Sequence, residues 1–122
     1  MKPGFVYVMG NAYMPNIYKI GATQRSPHSR ADELSIATGV PVPFQVLAYA
    51  EFEDCFSIED ELHDVFSCER INSGREFFEV PLNTLISAVC DHPSRLSQWA
   101  PDKTVFAEEK TSLAVIGGGL VD

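Results

Sequence analysis

Two short runs of strand-forming residues, 5–9 (Phe-Val-Tyr-Val-Met) and 17–21 (Ile-Tyr-Lys-Ile-Gly), flank a stretch built from Gly10, Asn11, Pro15 and Asn16. Aromatic and β-branched residues favour a pleated surface, and Gly, Asn and Pro favour a reversal, so the chain is expected to open on an antiparallel strand pair. Side chains alternate along a strand. Phe5, Tyr7 and Met9 therefore share one face, with Val6 and Val8 on the other. In the second run Lys19 and Gly21 share a face, and Tyr18 and Ile20 point the opposite way.

A helix is expected next. Ser26 suits its N-cap, Pro27 its first position and Gly39 its stop. Ala31, Leu34 and Thr38 give it a stripe, flanked by Arg30 and Glu33. Residues 44–52 read as a third strand. Asp54 or Ser57 can cap a second helix running to about Ser67, whose apolar face uses Ile58, Leu62, Val65 and Phe66. Glu59 and His63 lie one turn apart on that helix. A loop over 68–74 holds Arg70 and Asn72, with Arg75 at its end. Residues 76–80 suit a short strand, 82–90 a helix, and Pro93 starts a short helical piece reaching Trp99. This gives one domain over residues 1–100. Residues 101–122, with three successive glycines from Gly117, read as a loosely held tail. Its apolar run at 113–116 is a candidate for docking on the domain or on a protein partner.

Charge is distributed unevenly. The 122-residue chain has a formal net charge of -8, which argues against a broad nucleic-acid-binding surface. Yet Lys2, Lys19, Arg25 and Arg30 all fall before Asp32, and no carboxylate does. A local basic face on an acidic body can still hold a phosphate backbone. No run approaches the ~18 apolar residues of a membrane helix, and there is no charged-then-apolar leader, so the chain reads as cytoplasmic and without a membrane partner. Cys55, Cys68 and Cys90 are odd in number and unpaired in spacing, which fits reduced thiols better than a disulfide framework or zinc site. Cys90-Asp91-His92 lacks a second ligand pair and reads as a helix end.

The order strand, strand, helix, strand, helix, carrying Tyr7, Lys19-Ile20-Gly21, Arg30 and Glu59, resembles the GIY-YIG nuclease superfamily, and most closely its short bacteriophage T5-type branch. The matching text runs from FVYVMGN through MPNIYKIGATQRSPHSRADELSIATGVPVPF to IEDELHDVF and RINSGREFFEV, over roughly residues 4–80. The resemblance implies an α+β fold, with a small three-stranded antiparallel sheet flanked by helices. It implies a phosphodiesterase using one divalent metal ion, Mg²⁺ or Mn²⁺, and DNA as substrate, with RNA open. Tyr7 matches the tyrosine of the first motif, Arg30 the helical arginine and Glu59 the metal-binding glutamate. Lys19 stands where the second motif usually has its tyrosine, Asn72 lies near the family's asparagine, and Leu34 takes the place of a polar residue one turn after the arginine.

The chemistry of these residue types supports the assignment. Phosphodiester hydrolysis needs an activated water, charge stabilisation and help for the leaving oxygen. Tyr7 is a general-base candidate, but a tyrosine titrates near ~10 unless a cation lowers it. Lys19 can be that cation, and Arg30 can grip a non-bridging oxygen. His63 is the second base candidate, from a different helix. Arg25, Arg70, Asn72 and Arg75 are candidates for contacting phosphates. Taken singly, each has an ordinary explanation: strand aromatics in a core, charges on a solvated helix, surface ion pairs. Only their joint occurrence raises the nuclease reading. Two other readings stay open, a weak or inactive nucleic-acid-binding module and a nuclease subunit needing a targeting partner.

Overall fold

The loop expected between the first two strands is held by its own polar groups. The Asn11 side-chain oxygen accepts the Tyr13 N–H at 2.8 Å, and the Asn11 carbonyl accepts the Met14 N–H at 2.9 Å. Asn16 takes the left-handed conformation, φ 67°, which asparagine tolerates better than most residues. The chain is thus turned back into a regular antiparallel pair, β1 (Gly4–Gly10) on β2 (Ile17–Thr23), with Tyr7 opposite Gly21 and Val8 opposite Ile20.

The computed structural model describes residues 1–38, 43–71 and 77–100. After β2 come α1 (Pro27–Thr38), β3 (Gln45–Phe52), α2 (Cys55–Val65), a 3₁₀ turn (Ser67–Glu69), β4 (Phe77–Glu79), α3 (Leu82–Cys90) and β5 (Ser97–Trp99). The fold is α+β, as expected, but the antiparallel sheet has five strands in the order β4-β2-β1-β3-β5 rather than three. The expected trio forms its centre, and a three-residue strand closes each side.

One of the two added strands overturns an expectation. Residues 93–99 are not a helical piece: Pro93 sits in a turn, and Ser97, Gln98 and Trp99 pair with Glu51, Ala50 and Tyr49 of β3. The turn is fastened by the Ser94 N–H on His92 Nδ1 at 3.1 Å and by the Arg95 guanidinium on the His92 carbonyl at 2.9 Å. An unpaired β3 edge would leave backbone donors and acceptors without partners, and three extended residues satisfy them.

Helices cover both faces, so β1 and β2 are buried on both sides. On one face Val6, Val8, Tyr18, Ile20 and Phe78 pack against Leu62 and Phe66 and against Leu82, Leu85, Ile86 and Val89 of α3. On the other, Tyr7 and Met9 pack with Ala31 and Phe44, with Leu34 and Phe77 alongside. Ser26 caps α1 as expected, accepting the His28 N–H at 3.2 Å. Gly39, its expected stop, lies outside the described residues. Asp54 occupies the N-cap of α2 without a side-chain cap bond, and that helix ends at Val65 rather than near Ser67. Among the described residues no helix is long and apolar enough to cross a membrane.

Phe78 is fully buried and ties β4 to the core beneath α2 and α3. Phe78→Ala is expected to lower the unfolding free energy by about 3–5 kcal/mol, measured by urea denaturation followed through Trp99 emission. A loss below about 1 kcal/mol would mean that β4 is not anchored by this side chain.

Candidate functional site

Strand alternation and register bring Tyr7 and Gly21 face to face, and the absent side chain of Gly21 is what lets them meet. A Cβ at Gly21 would overlap the Tyr7 hydroxyl and the ring carbon that carries it. The phenol therefore lies across β2 at the glycine. Tyr7 is 1% exposed, so packing fixes where its hydroxyl sits. Arg30, on the second turn of α1, reaches this hydroxyl. The hydrogen bond to Tyr7 is the main reason its guanidinium is held above its ordinary pKa, with Glu33 adding to the effect.

Lys19 occupies the same face one pleat away. It is 6% exposed, with its ammonium 5.8 Å from the centre of the Phe77 ring. Arg30 thus stands beside Tyr7 by direct contact, and Lys19 lies on the same face. Tyr18 points to the opposite face, in the core with Ile20. Burial pushes its phenol above the ordinary value, against a smaller opposing effect of a backbone hydrogen bond at Asn16. It stays protonated at neutral pH and is no base.

Glu33 organises the outer side of α1. Its carboxylate takes the Arg25 fork at 2.7 and 2.6 Å and Arg30 at 3.3 Å. The Arg25 hydrogen bond, with help from Arg30, holds the Glu33 carboxyl below the usual range against the opposing effect of desolvation. A depressed folded-state value means the pairing acts in full at neutral pH and fades as pH falls through that lowered value. Two of the arginines expected at phosphates, Arg25 and Arg30, are therefore already shared with one carboxylate.

Glu59 and His63 belong to α2, which packs on the face opposite Tyr7. They nevertheless come to β2. His63 Nε2 lies 2.9 Å from the Ile20 carbonyl. That oxygen only accepts, so Nε2 carries the proton and Nδ1 is the one ring atom left to take another. At the other end, α2 begins beside β1 and the end of β2: a Cβ on Gly4 would fall 2.8 Å from Cys55 Sγ and also press on the Thr23 carbonyl. The helix thus runs from the level of Thr23 to that of Ile20. Glu59 stands one turn before His63, on the same side of α2. β4 pairs only with Ile17, Tyr18 and Lys19, so beyond Lys19 no described strand covers this edge of β2. Tyr7 and Arg30 thus meet over Gly21 on one face of the sheet, and His63 reaches the β2 backbone at the neighbouring Ile20 from α2.

The remaining candidates divide. Arg70 stacks over the Phe78 ring at 5.7 Å, on the α2 side of the sheet and away from Tyr7. Asn72 and Arg75 lie outside the described residues. His92, read as part of a helix end, bonds Glu61 at 2.8 Å and holds no metal arrangement. Among the described residues no three His, Cys, Asp or Glu side chains cluster as a metal cage. Sequence reasoning missed Phe77 beneath Lys19, and it did not foresee that Gly21 houses the Tyr7 hydroxyl. The signal for the latter was present in the shared alternation of the two strands.

Residues 4–92, well over half of the chain, match the family model described as the T5orf172 domain. That domain is associated with nuclease and GIY-YIG-like phage proteins. No curated protein and no solved structure matches the chain.

The contact between Tyr7 and Gly21 makes a double-mutant cycle decisive. Gly21→Ala is expected to destabilise by about 1–3 kcal/mol through overpacking. In a Tyr7→Ala background, which removes the ring, most of that cost disappears. Additive effects of the two changes in urea denaturation would mean that the two residues do not constrain each other.

Proposed function

We propose that this chain, which belongs to the T5orf172 domain family, is a small endonuclease of the GIY-YIG type that hydrolyses phosphodiester bonds in DNA. The observation that supports this best is the Tyr7–Arg30 pairing over Gly21, with Lys19 buried on the same face and His63 bonded to the Ile20 carbonyl next along β2. A phenol, two cations and an imidazole, with the Glu59 carboxylate one turn before His63 on α2, are groups that suit phosphoryl transfer to water.

In the reaction a water oxygen forms a bond to phosphorus as the bond to the leaving sugar oxygen breaks. The attacking water gives up its proton, and the leaving oxygen gains one from solvent. Tyr7, whose hydroxyl meets the Arg30 guanidinium, and His63 are the two candidates to accept the water proton. His63 has only Nδ1 to offer. Arg30 places its fork on a non-bridging oxygen, where charge builds in the transition state. A phosphate arriving there competes with Glu33 for Arg30, so binding redistributes a guanidinium already in place.

Glu59 is the residue that would hold Mg²⁺ or Mn²⁺. A single half-exposed carboxylate, with no cage around it among the described residues, suits a hard cation that keeps most of its waters. Bound there, such an ion would supply positive charge for the leaving oxygen.

Leu34 favours a second reading, a nucleic-acid-binding module without turnover. It packs against the Tyr7 cluster as an apolar residue, where the resemblance calls for a polar one. On that reading a protein partner would supply targeting, and the net charge of -8 is compatible with such dependence.

Arg30→Ala and Glu59→Ala are each expected to lower Mg²⁺-dependent cleavage of a sensitive DNA substrate by roughly a hundredfold or more. Arg30→Lys should recover little, since an ammonium cannot present the planar fork. Full cleavage by both alanine variants would remove this site from the chemistry. Salt-dependent DNA binding by the wild-type chain with no cleavage in any divalent metal would favour the binding module instead.

A further inference from the structure

One row of the sheet carries side chains from the candidate site to the far edge. Gly21 pairs with Tyr7, Tyr7 with Tyr49 and Tyr49 with Trp99, so four strands each place one residue on the same face. The Tyr49 and Trp99 rings stack, with centroids 5.5 Å apart and planes 22° from parallel. Phe5 meets Tyr49 edge-on at 5.5 Å. His28, on the first turn of α1, stands edge-on to Tyr49 and Trp99 at 6.3 and 6.4 Å. Despite these contacts Trp99 is 41% exposed. An aromatic held by its neighbours yet open to solvent has the form of a stacking platform rather than a core anchor. Moreover, β5 lies beyond the span 4–92 that matches the family, so Trp99 is not part of the shared domain.

We propose that Tyr49 and Trp99 form a stacking subsite for an unpaired nucleobase of the strand whose phosphate lies at Tyr7 and Arg30. The proposal rests on the nuclease reading of that site. Trp99 stands two strand spacings from Tyr7, roughly 10 Å, which is the reach of one or two nucleotides. Charge selects this occupant. α1, which carries His28, also carries Arg30, and residues 1–31 hold four cations and no carboxylate. Glu51 shares the face with Phe5, and its carboxylate accepts the Ser97 hydroxyl at 3.2 Å. Phosphates are therefore steered to the α1 side while the base lies on the rings. An unpaired base is required because in a duplex both faces of each base are already covered by its neighbours.

Trp99 is the only tryptophan, so its emission reports on this subsite directly. The full chain, without divalent metal, is titrated with a short single-stranded oligothymidylate, an abasic strand of equal length and a duplex. Saturable quenching by the oligothymidylate is expected, with emission unchanged by the abasic strand and the duplex. In anisotropy titrations of a labelled single strand, Tyr49→Ala and Trp99→Ala should weaken binding by roughly five- to a hundredfold. Trp99→Phe, which keeps a ring and the strand pairing, should retain most of the affinity. Equal quenching by the abasic strand or the duplex would overturn the subsite. Cleavage of DNA with Trp99 emission unmoved by substrate would also overturn it and leave the nuclease reading standing. Base-dependent quenching with no cleavage in any divalent metal would keep the subsite and remove the nuclease reading.

Discussion

The close approach of the Tyr7 ring to the backbone at Gly21 is the constraint from which the rest of the site follows. β1 is the central strand of five, and Tyr7 lies at its middle, between Gly21 of β2 and Tyr49 of β3. A tyrosine in such a place ordinarily fills a core with its ring and needs a partner for its hydroxyl. Here the glycine opposite leaves room for the ring to lie along the sheet, and Arg30 supplies the partner. A slip of one residue between β1 and β2 would bring Ile20 or Ala22 opposite Tyr7. It would also turn Lys19 to the other face. The register is held against this slip by the Asn-rich loop at one end and by burial of both strands on both faces. The placement of the functional groups is therefore a by-product of the same pairing that stabilises the centre of the sheet.

The sheet also separates two kinds of chemistry that a single surface would let collapse together. Arg30 and Lys19 are supported from the α1 side, where Glu33 already gathers Arg25 and Arg30. Glu59 belongs to a strongly acidic helix on the α2 side, with Asp60, Glu61 and Asp64 around it. Were both sets on one face, the carboxylates of α2 would compete for the arginines. With the sheet between them, α2 reaches β2 at the edge beyond Lys19. His63 marks that edge by its bond to the Ile20 carbonyl. That bond spends the nitrogen best placed to hold the helix and limits what the ring can do as a base.

Much of this was legible in the chain, for reasons that can be named. Alternation in two short strands was enough to put Tyr7 with Lys19 and Tyr18 opposite them, because a strand buried on both faces cannot rotate its side chains to suit local needs. Ser26 and Pro27 announced α1 by their own backbone chemistry. Of the two edge strands, β4 was foreseen within residues 76–80, but β5 was not. Three residues carry little periodicity, and Ser97-Gln98-Trp99 has no strand signal of its own. It becomes extended because β3 offers an open row of hydrogen-bonding groups, which is a tertiary fact. Pro93 was a true signal for a change of direction, read as a helix start when it lies in a turn. The aromatic row from Tyr7 to Trp99 was invisible for the same reason, since its last member depends on the β5 pairing. The Glu33 pairing was recognisable only as one option among several carboxylates, because ion-pair choice on a helix is decided by side-chain reach.

The acidic balance of the chain then has a physical reading that does not oppose contact with phosphate. Long-range attraction from a net charge of -8 is unfavourable, but it is screened within about 8 Å at physiological salt. Inside that distance the local field belongs to the residues present. Lys19 is nearly buried on the Tyr7 face, with its ammonium over the Phe77 ring. Arg25 and Arg30 are both paired with Glu33. On the proposed function, a phosphate arriving at Arg30 would meet a guanidinium already paired and would displace the Glu33 carboxylate from it, so that the acidic balance of the chain need not oppose such a contact.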